Sequence, residues 1–472
     1  MMNKTKIRAT VGPASSSKEV LRKLIENGVD VIRINMKHAT YAFCEDIIKK
    51  VNEINEELKT NVAIMLDIKG PNMTVGKLVN KAAFLNKKDK IRVYYEPVVG
   101  DSTKFSVNNS YLLEHIKYDG IIKINNGDVT LKVLDKANSY LLCEVIDEGV
   151  INEDKSVIVP GLYLEGPFLD RKDISDIKFA DKMNVDFIGL SYVQSAENVL
   201  EVNDLLINLE NDHIGIIAKI ENEYAVNEID EIIKSCEGVM VARGDLGVEL
   251  DIERVPGVQK TVLRKCHKYG KIGIVATEML SSMGTINKPT RAEVSDVANA
   301  VLDGTDAVLL SNETTIGNYP VETIKVMERI IAAAEKDINY MGFLGTAIET
   351  GESDITGIIS YNVADSANRL KCKAIIAPTV SGYTARKISR FRPSCPIIAA
   401  TPNKETIKSL ALHFGVFPIL VDELKSFDKI IEKSRKITQE MIDVESGDKI
   451  VITGGYPFKD TKHTNFMKIE EI

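Results

Sequence analysis

Short apolar runs separated by amphipathic segments recur along most of the chain. Each run is rich in β-branched residues and ends in polar residues, as parallel strands buried on both faces do. Several runs precede a helical pattern, as at Ser17–Asn27, Glu45–Leu58 and Ala196–Leu209. The predicted strands are Lys6–Val11, Val29–Asn35, Val62–Ile68, Val185–Val193, Ile214–Ile220, Gly238–Ala242, Ile272–Ala276 and Ala307–Ser311. They predict an α/β fold with a closed (β/α)8 TIM barrel; the alternative, an open doubly wound sheet, lacks its GxGxxG turn here.

The periodicity changes to short alternating runs between Lys69 and Gly166. Runs such as IRVYY and VTLKVL are separated by the turn-forming pairs Asn126-Gly127 and Glu148-Gly149. This pattern predicts an all-β lid domain, a β-barrel at residues 70–165, inserted after the third barrel strand. An insertion there would project over the mouth of the barrel, where a lid acts; the alternative is a decorative insertion. The catalytic barrel would then comprise residues 1–69 and 166–340.

A second α/β pattern predicts a C-terminal domain at residues 341–472. Its predicted strands and helices are Cys372–Pro378, Thr384–Phe391, Cys395–Thr401, Lys404–Phe414, Val416–Val421 and Lys449–Thr453. The segment Thr379-Val380-Ser381-Gly382-Tyr383-Thr384 joins a strand to a helix. Its hydroxyls and amides would suit a phosphate, whereas the alternative is ordinary helix capping by Ser381 or Thr384.

Composition narrows the functional class only a little. A chain of 472 residues is too long for a single hydrophobic core, so we expect two or three domains. The net charge of −8, with dispersed basic residues, argues against nucleic-acid binding. No apolar run reaches membrane-spanning length, and no signal-peptide core precedes the first strand, so we expect a cytoplasmic protein. The six cysteines lack CxxC spacing and indicate neither a zinc site nor a disulfide framework.

Charged and hydroxyl-bearing residues collect where the predicted barrel strands end. They are Arg33, Asn35, Asp67, Lys69, Ser191, Lys219, Glu221, Arg243, Asp245, Thr277, Ser311 and Glu313. In a barrel these positions meet at one mouth, although they are remote in sequence. Carboxylates beside cations at such a mouth suit a divalent metal and a phosphate, whereas the alternative is a set of surface ion pairs. The chain carries no Walker loop or protein-kinase signature, so a nucleotide would be held in another way.

Long motifs in the chain resemble those of the pyruvate kinase family over essentially its whole length. The matching strings are KTKIRATVGPAS, KIENEYAVNEIDEI, MVARGDLGVEL, KPTRAEVSDVANAVLDGTDAVLLSNET, PTVSGYTARKISRFRP and GDKIVITGGYPF with a later HTN. The resemblance implies a barrel, a lid and an effector or assembly domain in a homotetramer. It also implies magnesium-dependent transfer of a phosphoryl group from phosphoenolpyruvate to ADP, giving pyruvate and ATP.

Roles for individual residues follow from the resemblance. Lys219 would stabilise the phosphoryl group in flight and Arg33 would clamp it, while Glu221 and Asp245 would hold magnesium. The amides around Arg243-Gly244-Asp245 would receive the substrate carboxylate. Thr277 would contact that carboxylate near the proton relay, with Ser311 and Glu313 close behind. The positions facing the nucleotide are Asn35, His38 and Lys155; without the motif, His38 would be an ordinary polar residue at a strand end. Thr379, Ser381, Gly382 and Thr384 would bind a sugar monophosphate or nucleotide effector.

The sequence departs from the family pattern in the nucleotide and lid motifs. The family's N-F-S-H-G reads Asn35-Met36-Lys37-His38-Ala39, and its D-T-K-G-P-E-I-R reads Asp67-Ile68-Lys69-Gly70-Pro71-Asn72-Met73-Thr74. The lid motif D-D-G reads Asn125-Asn126-Gly127, and A-T-Q-M-L reads Ala276-Thr277-Glu278-Met279-Leu280. The arginine that Thr74 replaces contacts nucleotide phosphates in the family, and threonine supplies no charge.

The monovalent-ion site implied by the family comprises Asn35, Lys37, Asp67 and Ile68. Lys37 stands where potassium-dependent members have a serine ligand, so we expect its ammonium, kept protonated by Asp67, to replace potassium. The alternative is that Lys37 points to solvent and the site has decayed. Three functions remain open: a working, potassium-independent pyruvate kinase; a weakly active or inactive paralogue that binds phosphoenolpyruvate as a regulatory subunit; and an enzyme of altered nucleotide or acceptor specificity.

Overall fold

The barrel is closed by eight parallel strands. The computed structural model describes residues 2–108, 115–164, 166–211, 213–348, 354–423, 426–456 and 463–472. Numbered in chain order with those of the other domains, the barrel strands are β1 (Lys6–Thr10), β2 (Val31–Asn35), β3 (Ala63–Ile68), β13 (Phe187–Leu190), β14 (Gly215–Ile220), β15 (Gly238–Ala242), β16 (Ile272–Ala276) and β17 (Ala307–Leu310). Their order is β1-β17-β16-β15-β14-β13-β3-β2, which confirms the predicted fold class.

Inward-facing positions follow the two-residue period of a strand. Deep in the barrel these positions are apolar, as at Met65, Phe187 and Ile217, which belong to one interior cluster. Two residues further along each strand, the same face carries a polar group. Lys219 follows Ile217 on β14, and Asp67 follows Met65 on β3. The alternation therefore builds an apolar floor with a charged layer above it.

The helices pack around the barrel over a second apolar cluster. In chain order they are Lys18–Glu26, Tyr41–Leu58, Arg171–Lys182, Ala196–Asn208, Glu223–Asn227, Ile229–Ser235, Arg243–Glu249, Val255–Tyr269, Arg291–Leu302, Asn312–Thr315 and Pro320–Ala334. Short 3-10 turns span Ile252–Arg254, Ser281–Gly284 and Glu335–Asp337. The chain crosses from β14 to β15 through two short helices, which meet at Glu228.

The insertion after β3 contains many β-strands. These are β4 (Met73–Thr74), β5 (Ala82–Leu85), β6 (Lys90–Tyr94), β7 (Lys104–Ser106), β8 (Ile121–Ile124), β9 (Val129–Lys136), β10 (Tyr140–Asp147), β11 (Gly149–Asn152) and β12 (Ser156–Ile158). In the described part, the order β4-β12-β8-β9-β10-β6-β7 is that of a seven-stranded sheet, and β11 pairs with β5. Val75, next to β4, forms an antiparallel bridge with Val107, next to β7, so the two edge strands of this sheet also meet. The predicted bound at residue 165 lies outside the described residues.

The C-terminal part contains a five-stranded sheet of order β20-β19-β18-β21-β22. The strands are β18 (Ala374–Pro378), β19 (Ile397–Thr401), β20 (Val416–Leu420), β21 (Lys449–Gly454) and β22 (Phe466–Glu471), and the helices are Tyr340–Ile348, Ile355–Arg369, Tyr383–Ser389, Lys404–Ser409 and Phe427–Met441. The antiparallel β22 was not predicted. The helix predicted to reach Phe414 ends at Ser409, whose hydroxyl donates to the Thr406 carbonyl. Part of the closing motif, Pro457 and Phe458, lies outside the described residues.

Two further predictions can be compared with the structure. All six cysteines are buried, and their thiols form no disulfide with one another. Among the described helices, none is long and apolar enough to cross a membrane.

Candidate active site

A cavity of about 740 Å³ opens at the carboxyl ends of the barrel strands, next to the insertion. It is lined by side chains predicted for the site, namely Arg33, Asn35, Lys37, His38, Lys69, Asn72, Asn126, Ser191, Lys219, Glu221, Asp245, Thr277 and Ser311. Other predicted residues lie outside this lining, namely Asp67, Ile68, Thr74, Asn125, Lys155, Arg243, Gly244, Glu278 and Glu313. Barrel closure therefore brings together residues that are far apart in sequence.

Lys219 and Glu221 form a buried ion pair at the end of β14. Lys219 Nζ lies 2.7 Å from Glu221 Oε1 and donates to Ser191 Oγ at 3.0 Å. Burial would lower the pKa of Lys219, but Glu221 and Asp67 outweigh it and raise the pKa above the ordinary value. Burial raises the pKa of Glu221, against the opposing charge of Lys219, and the nearby carboxylate of Asp245 adds to the rise. The pair thus holds a fixed ammonium at the cavity wall.

Arg33 and Asp67 form a second buried pair, on neighbouring strands. Arg33 Nε donates to Asp67 Oδ2 at 2.7 Å, and Arg33 Nη1 donates to Thr10 Oγ1 at 3.0 Å. Burial would raise the pKa of Asp67, but the charges of Arg33, Lys219 and Arg8 together hold it below the usual value. Arg33 is therefore fixed on two sides, while its Nη2 makes no hydrogen bond to the described residues.

The helix Arg243–Glu249 begins directly at the end of β15. Its Gly244 amide donates to Thr277 Oγ1 at 2.8 Å, so this amide, predicted to receive a carboxylate, already has a partner. Arg243 turns away from the cavity lining, with Nη1 2.6 Å from Asp296 and Nη2 donating to the Thr277 carbonyl at 2.7 Å. Thr277 has a φ of +70°, which is unusual for a β-branched residue. Arg243 thus braces a strained residue at the mouth.

Ser311 and Glu313, at the end of β17, differ in exposure to the cavity. Ser311 lines the cavity. Glu313 is buried, and its carboxylate accepts from the amides of Ser311 at 2.8 Å and Leu280 at 3.2 Å. Glu313 therefore joins the loops after two strands rather than lining the cavity.

A positively charged rim follows β2. Lys37 is half-buried; its amide donates to Asn35 Oδ1 at 3.1 Å, and its ammonium has no hydrogen bond or ion pair to any residue that the structure describes. Burial lowers the pKa of Lys37; Asp245 opposes this shift, and Lys219, Lys155 and Lys69 add to it. Partial burial, together with the charges of Lys37, Lys155 and Arg33, likewise lowers the pKa of His38. Such a rim attracts anions.

The predicted pairing of Lys37 with Asp67 is wrong. Asp67 is 1% exposed, and its carboxylate forms an ion pair with Arg33. The carboxylate that favours the charged form of Lys37 is that of Asp245. Ile68 is also buried, and its backbone oxygen accepts from Ser191 Oγ at 2.9 Å. The backbone hydrogen bonds between neighbouring strands orient Asp67 into the barrel, away from the loop that carries Lys37.

The departures from the family pattern on the insertion side of the cavity are polar and mostly uncharged. Asn72 is 9% exposed and lines the cavity, as does Asn126, whose Oδ1 accepts from Ser156 Oγ at 3.2 Å. Asn125 and Asn126 both have positive φ, as a tight turn requires. Thr74 lies on β4 and Glu278 is exposed beside Thr277. This side of the cavity therefore contributes amides where the family pattern has charges.

Glu221 and Asp245 fit a magnesium ion that shares its coordination with substrate. In the described part of the chain, no three histidine, cysteine or acidic side chains could hold a metal ion by themselves. Mg²⁺ needs fewer protein ligands, because it usually binds one or two carboxylates together with water and substrate phosphates. Asp245 raises the pKa of Glu221, so a cation beside the two carboxylates would relieve their repulsion. The donor set thus suits magnesium better than zinc.

Several contributors to the site were not predicted from the sequence. The Tyr192 amide donates to Glu221 Oε2 at 2.7 Å, Thr10 holds Arg33, and Asp296 holds Arg243. Arg8 was also missed, although a charged residue inside an apolar strand is a signal that the sequence displays. The sequence carries no comparable signal for a backbone amide such as that of Tyr192, or for side chains such as Thr10 and Asp296 that only hold a site residue in place.

The predicted effector segment begins where β18 ends. Its helix, Tyr383–Ser389, has Gly382 as N-cap residue, with a φ of +78°. Thr384 is buried, and its hydroxyl hydrogen-bonds to that of Thr464 at 2.8 Å rather than capping the helix. A Cβ at Gly382 would approach Arg386 Nη1 to 3.1 Å, so this guanidinium lies against the loop.

Together these features define a (β/α)8-barrel enzyme whose mouth combines buried cations with a pair of carboxylates. Residues 2–324 match the family model "Pyruvate kinase, barrel domain", and residues 358–470 match "Pyruvate kinase, alpha/beta domain". The chain therefore belongs to the pyruvate kinase family and is a phosphotransferase.

Individual relatives support this assignment. A pyruvate kinase of Clostridium perfringens is 40% identical over 474 residues, covering 100% of both chains. One of Staphylococcus saprophyticus is 41% identical over 470 residues, or 99% of this chain and 80% of that protein. The crystal structure of a pyruvate kinase from Cryptosporidium parvum matches with a TM-score of 0.94 at 33% identity, covering 100% of this chain and 96% of the other.

Proposed function

We propose that this chain transfers the phosphoryl group of phosphoenolpyruvate to ADP with magnesium, giving pyruvate and ATP as a step of glycolysis. The observation that carries the proposal is the convergence of Arg33, Lys219, Glu221, Asp245 and Thr277 around one cavity. Neutralisation of charge and positioning account for most catalysis of phosphoryl transfer, and these residues supply both.

Arg33 and Lys219 would bind the phosphoryl group. Arg33 offers Nη2, which makes no hydrogen bond to the described residues, and Lys219 offers a charge fixed by Glu221. As the group leaves the enol oxygen of phosphoenolpyruvate for the β-phosphate oxygen of ADP, Lys219 would stabilise the transition state. Glu221 and Asp245 would hold magnesium, which when bound would neutralise phosphate charge.

Thr277 would orient the substrate carboxylate and lie on the proton path to the enolate carbon. Its hydroxyl accepts from Gly244 and donates to the Ala276 carbonyl at 2.6 Å, so a bound carboxylate would compete for the Gly244 amide. Ser311, on the next strand, faces the same cavity. Glu313 would act on Ser311 only by holding its amide.

The rim would bind the nucleotide through Asn35, His38 and Lys155, since its positive field suits a diphosphate. We further propose that activity is independent of potassium because Lys37 supplies a positive charge at this rim. Asp245, rather than Asp67, is the carboxylate that favours the charged form of Lys37.

The remaining proposals concern regulation and assembly. The loop Thr379–Thr384 would bind a sugar monophosphate or nucleotide effector, with Arg386 beside it as a phosphate partner. Residues 70–165 would act as the lid and residues 341–472 as the regulatory and assembly domain of a cytoplasmic homotetramer.

A coupled assay tests the proposed function. Pyruvate formation is measured with magnesium, phosphoenolpyruvate and a panel of nucleoside diphosphates, with and without potassium. Rapid turnover with ADP supports the proposal, and preference for another diphosphate would indicate altered specificity. Binding of phosphoenolpyruvate without turnover would instead identify a regulatory paralogue.

A further inference from the structure

Arg8 is a cation enclosed in the barrel beneath the catalytic mouth. It occupies the middle of β1 and is 0% exposed. Its Nη2 contacts the Met65 sulfur and lies 3.9 Å from Asp67 Oδ1. Its Nε and Nη1 have no hydrogen-bond partner among the residues described. A buried cation with so few partners destabilises a fold unless a counter-charge compensates it, and Asp67 is that counter-charge.

Asp67 is shared between two guanidinium groups. Its Oδ2 accepts from Arg33 at 2.7 Å, while its Oδ1 has no hydrogen-bond partner in the described structure and faces Arg8. Gly189 on β13 leaves room for this arrangement, because a Cβ there would collide with Asp67 Oδ1 and lie 2.6 Å from Met65 Cε. Asp67 therefore lies between Arg8 below and Arg33 above.

The three side chains carry one excess positive charge. Burial lowers the pKa of Arg8 to about 9, which is above neutrality, so Arg8 stays charged. With Arg8 present, two guanidinium groups share one carboxylate; without it, Asp67 would neutralise Arg33 fully. The excess charge lies in a water-poor interior, where it acts on a nearby phosphate more strongly than a surface charge would.

We propose that Arg8 is a positioning residue, which holds Asp67 from below so that Arg33 keeps its orientation and net charge for the substrate phosphate. The inference rests on the proposed function, in which Arg33 binds that phosphate. Arg8 does not line the cavity, so its charge acts on bound substrate and transition state alike. Its loss should therefore raise KM for phosphoenolpyruvate much more than it lowers kcat.

Three variants of the full-length chain test the proposal. Arg8→Met removes the charge at similar side-chain length, Arg8→Lys keeps a charge, and Met65→Leu removes the sulfur contact while leaving both guanidinium groups. We expect Arg8→Met to raise KM for phosphoenolpyruvate roughly tenfold, Arg8→Lys to recover most of that loss, and Met65→Leu to match wild type. Calorimetry of phosphoenolpyruvate with magnesium and without ADP measures the same change as a dissociation constant.

The outcomes separate this inference from the proposed function. A wild type that does not turn over would refute the proposed function, but calorimetry would still report on Arg8. A folded Arg8→Met with wild-type KM and affinity would overturn the inference, as would an Arg8→Lys as impaired as Arg8→Met. Arg8→Gln is the second neutral variant; if neither neutral variant folds while Arg8→Lys does, Arg8 serves stability and the inference is also overturned.

Discussion

The barrel side of the cavity and its rim are organised in opposite ways. On the barrel side two pairs of charges are buried, namely Lys219 with Glu221 at 2.7 Å and Arg33 with Asp67 at 2.7 Å. On the rim, the ammonium of Lys37 makes no hydrogen bond or ion pair to the described residues, and His38 is exposed. Paired groups are held in place before substrate arrives, whereas unpaired ones gain their partners from the ligand. The residues that match the family pattern lie mostly on the paired side, and the departures lie on the other.

Lys219→Met should give the largest loss of activity, because it removes a charge that is held in position to stabilise the transition state. We expect kcat to fall by roughly 10³-fold while magnesium still binds, since Glu221 is freed of its ion pair. Steady-state kinetics and magnesium titration measure the two effects. Lys271→Met is the matched control, because Lys271 donates to the Cys236 carbonyl at 2.6 Å far from the cavity lining. Near-normal turnover in Lys219→Met would refute the mechanism.

Glu221→Gln and Asp245→Asn should raise the magnesium requirement, on the order of 10- to 100-fold. Each removes one of the two carboxylates that would hold magnesium. The activity of each variant is measured against magnesium concentration. The control is Asp251→Asn, at an exposed position just after the helix Arg243–Glu249 that carries Asp245. An unchanged magnesium dependence in either variant would show that the metal ligands lie elsewhere.

Lys37→Ser tests whether an unpaired rim lysine replaces an ion. Wild-type activity should be the same in potassium and tetramethylammonium chloride, whereas Lys37→Ser should gain a potassium activation of roughly tenfold. Lys49→Ser, on an exposed face of the helix Tyr41–Leu58, is the control. Strong potassium activation of the wild type would contradict the idea and leave Lys37 as an ordinary rim charge.

Thr74→Arg should strengthen nucleotide binding if the side of the cavity next to the insertion can be altered independently of the barrel side. A guanidinium at the end of β4 would offer a bidentate phosphate contact, so we expect KM for ADP to fall roughly threefold with little change in KM for phosphoenolpyruvate. Thr130→Arg is the control and should have no effect, because β9 lies three strands from β4 in the sheet, whereas Thr74 is two residues from Asn72 in the cavity lining. Equal changes in both KM values would mean that the two sides are not independent.

Glu249 should give the smallest effect, on stability. Its Oε2 accepts from the Gly161 amide at 3.3 Å, and burial raises the pKa of Glu249 from 4.5 to about 7. The buried, protonated Glu249 contributes its full stabilisation below pH 4.5, and this contribution is lost as pH rises through 7. The reason is that Glu249 loses its proton at a lower pH in the unfolded chain than in the folded one. Between pH 5 and 8, wild type should lose on the order of 1 kcal/mol of unfolding free energy relative to Glu249→Gln in urea denaturation. The exposed Glu253→Gln should behave as wild type, and equal pH dependence of wild type and Glu249→Gln would contradict the assignment.

Prediction from sequence succeeded where a local pattern is sufficient. The barrel strands follow from short apolar runs that end in polar residues, so Lys219 and Glu221 could be assigned to the end of β14. It failed where the outcome depends on packing. The helix predicted to reach Phe414 ends at Ser409, and β22 pairs antiparallel at the sheet edge without an apolar run of its own.

The sequence by itself determined the order of elements, the polar residues at the strand ends and the family motifs that identify the chemistry. Only the tertiary structure decided which partner each charge takes. Asp67 pairs with Arg33 and faces Arg8 rather than Lys37, and the Gly244 amide binds Thr277. These contacts join different strands, and the stagger between strands is fixed only when the barrel closes. Periodicity gives the direction of each side chain, whereas closure sets its distance from every other.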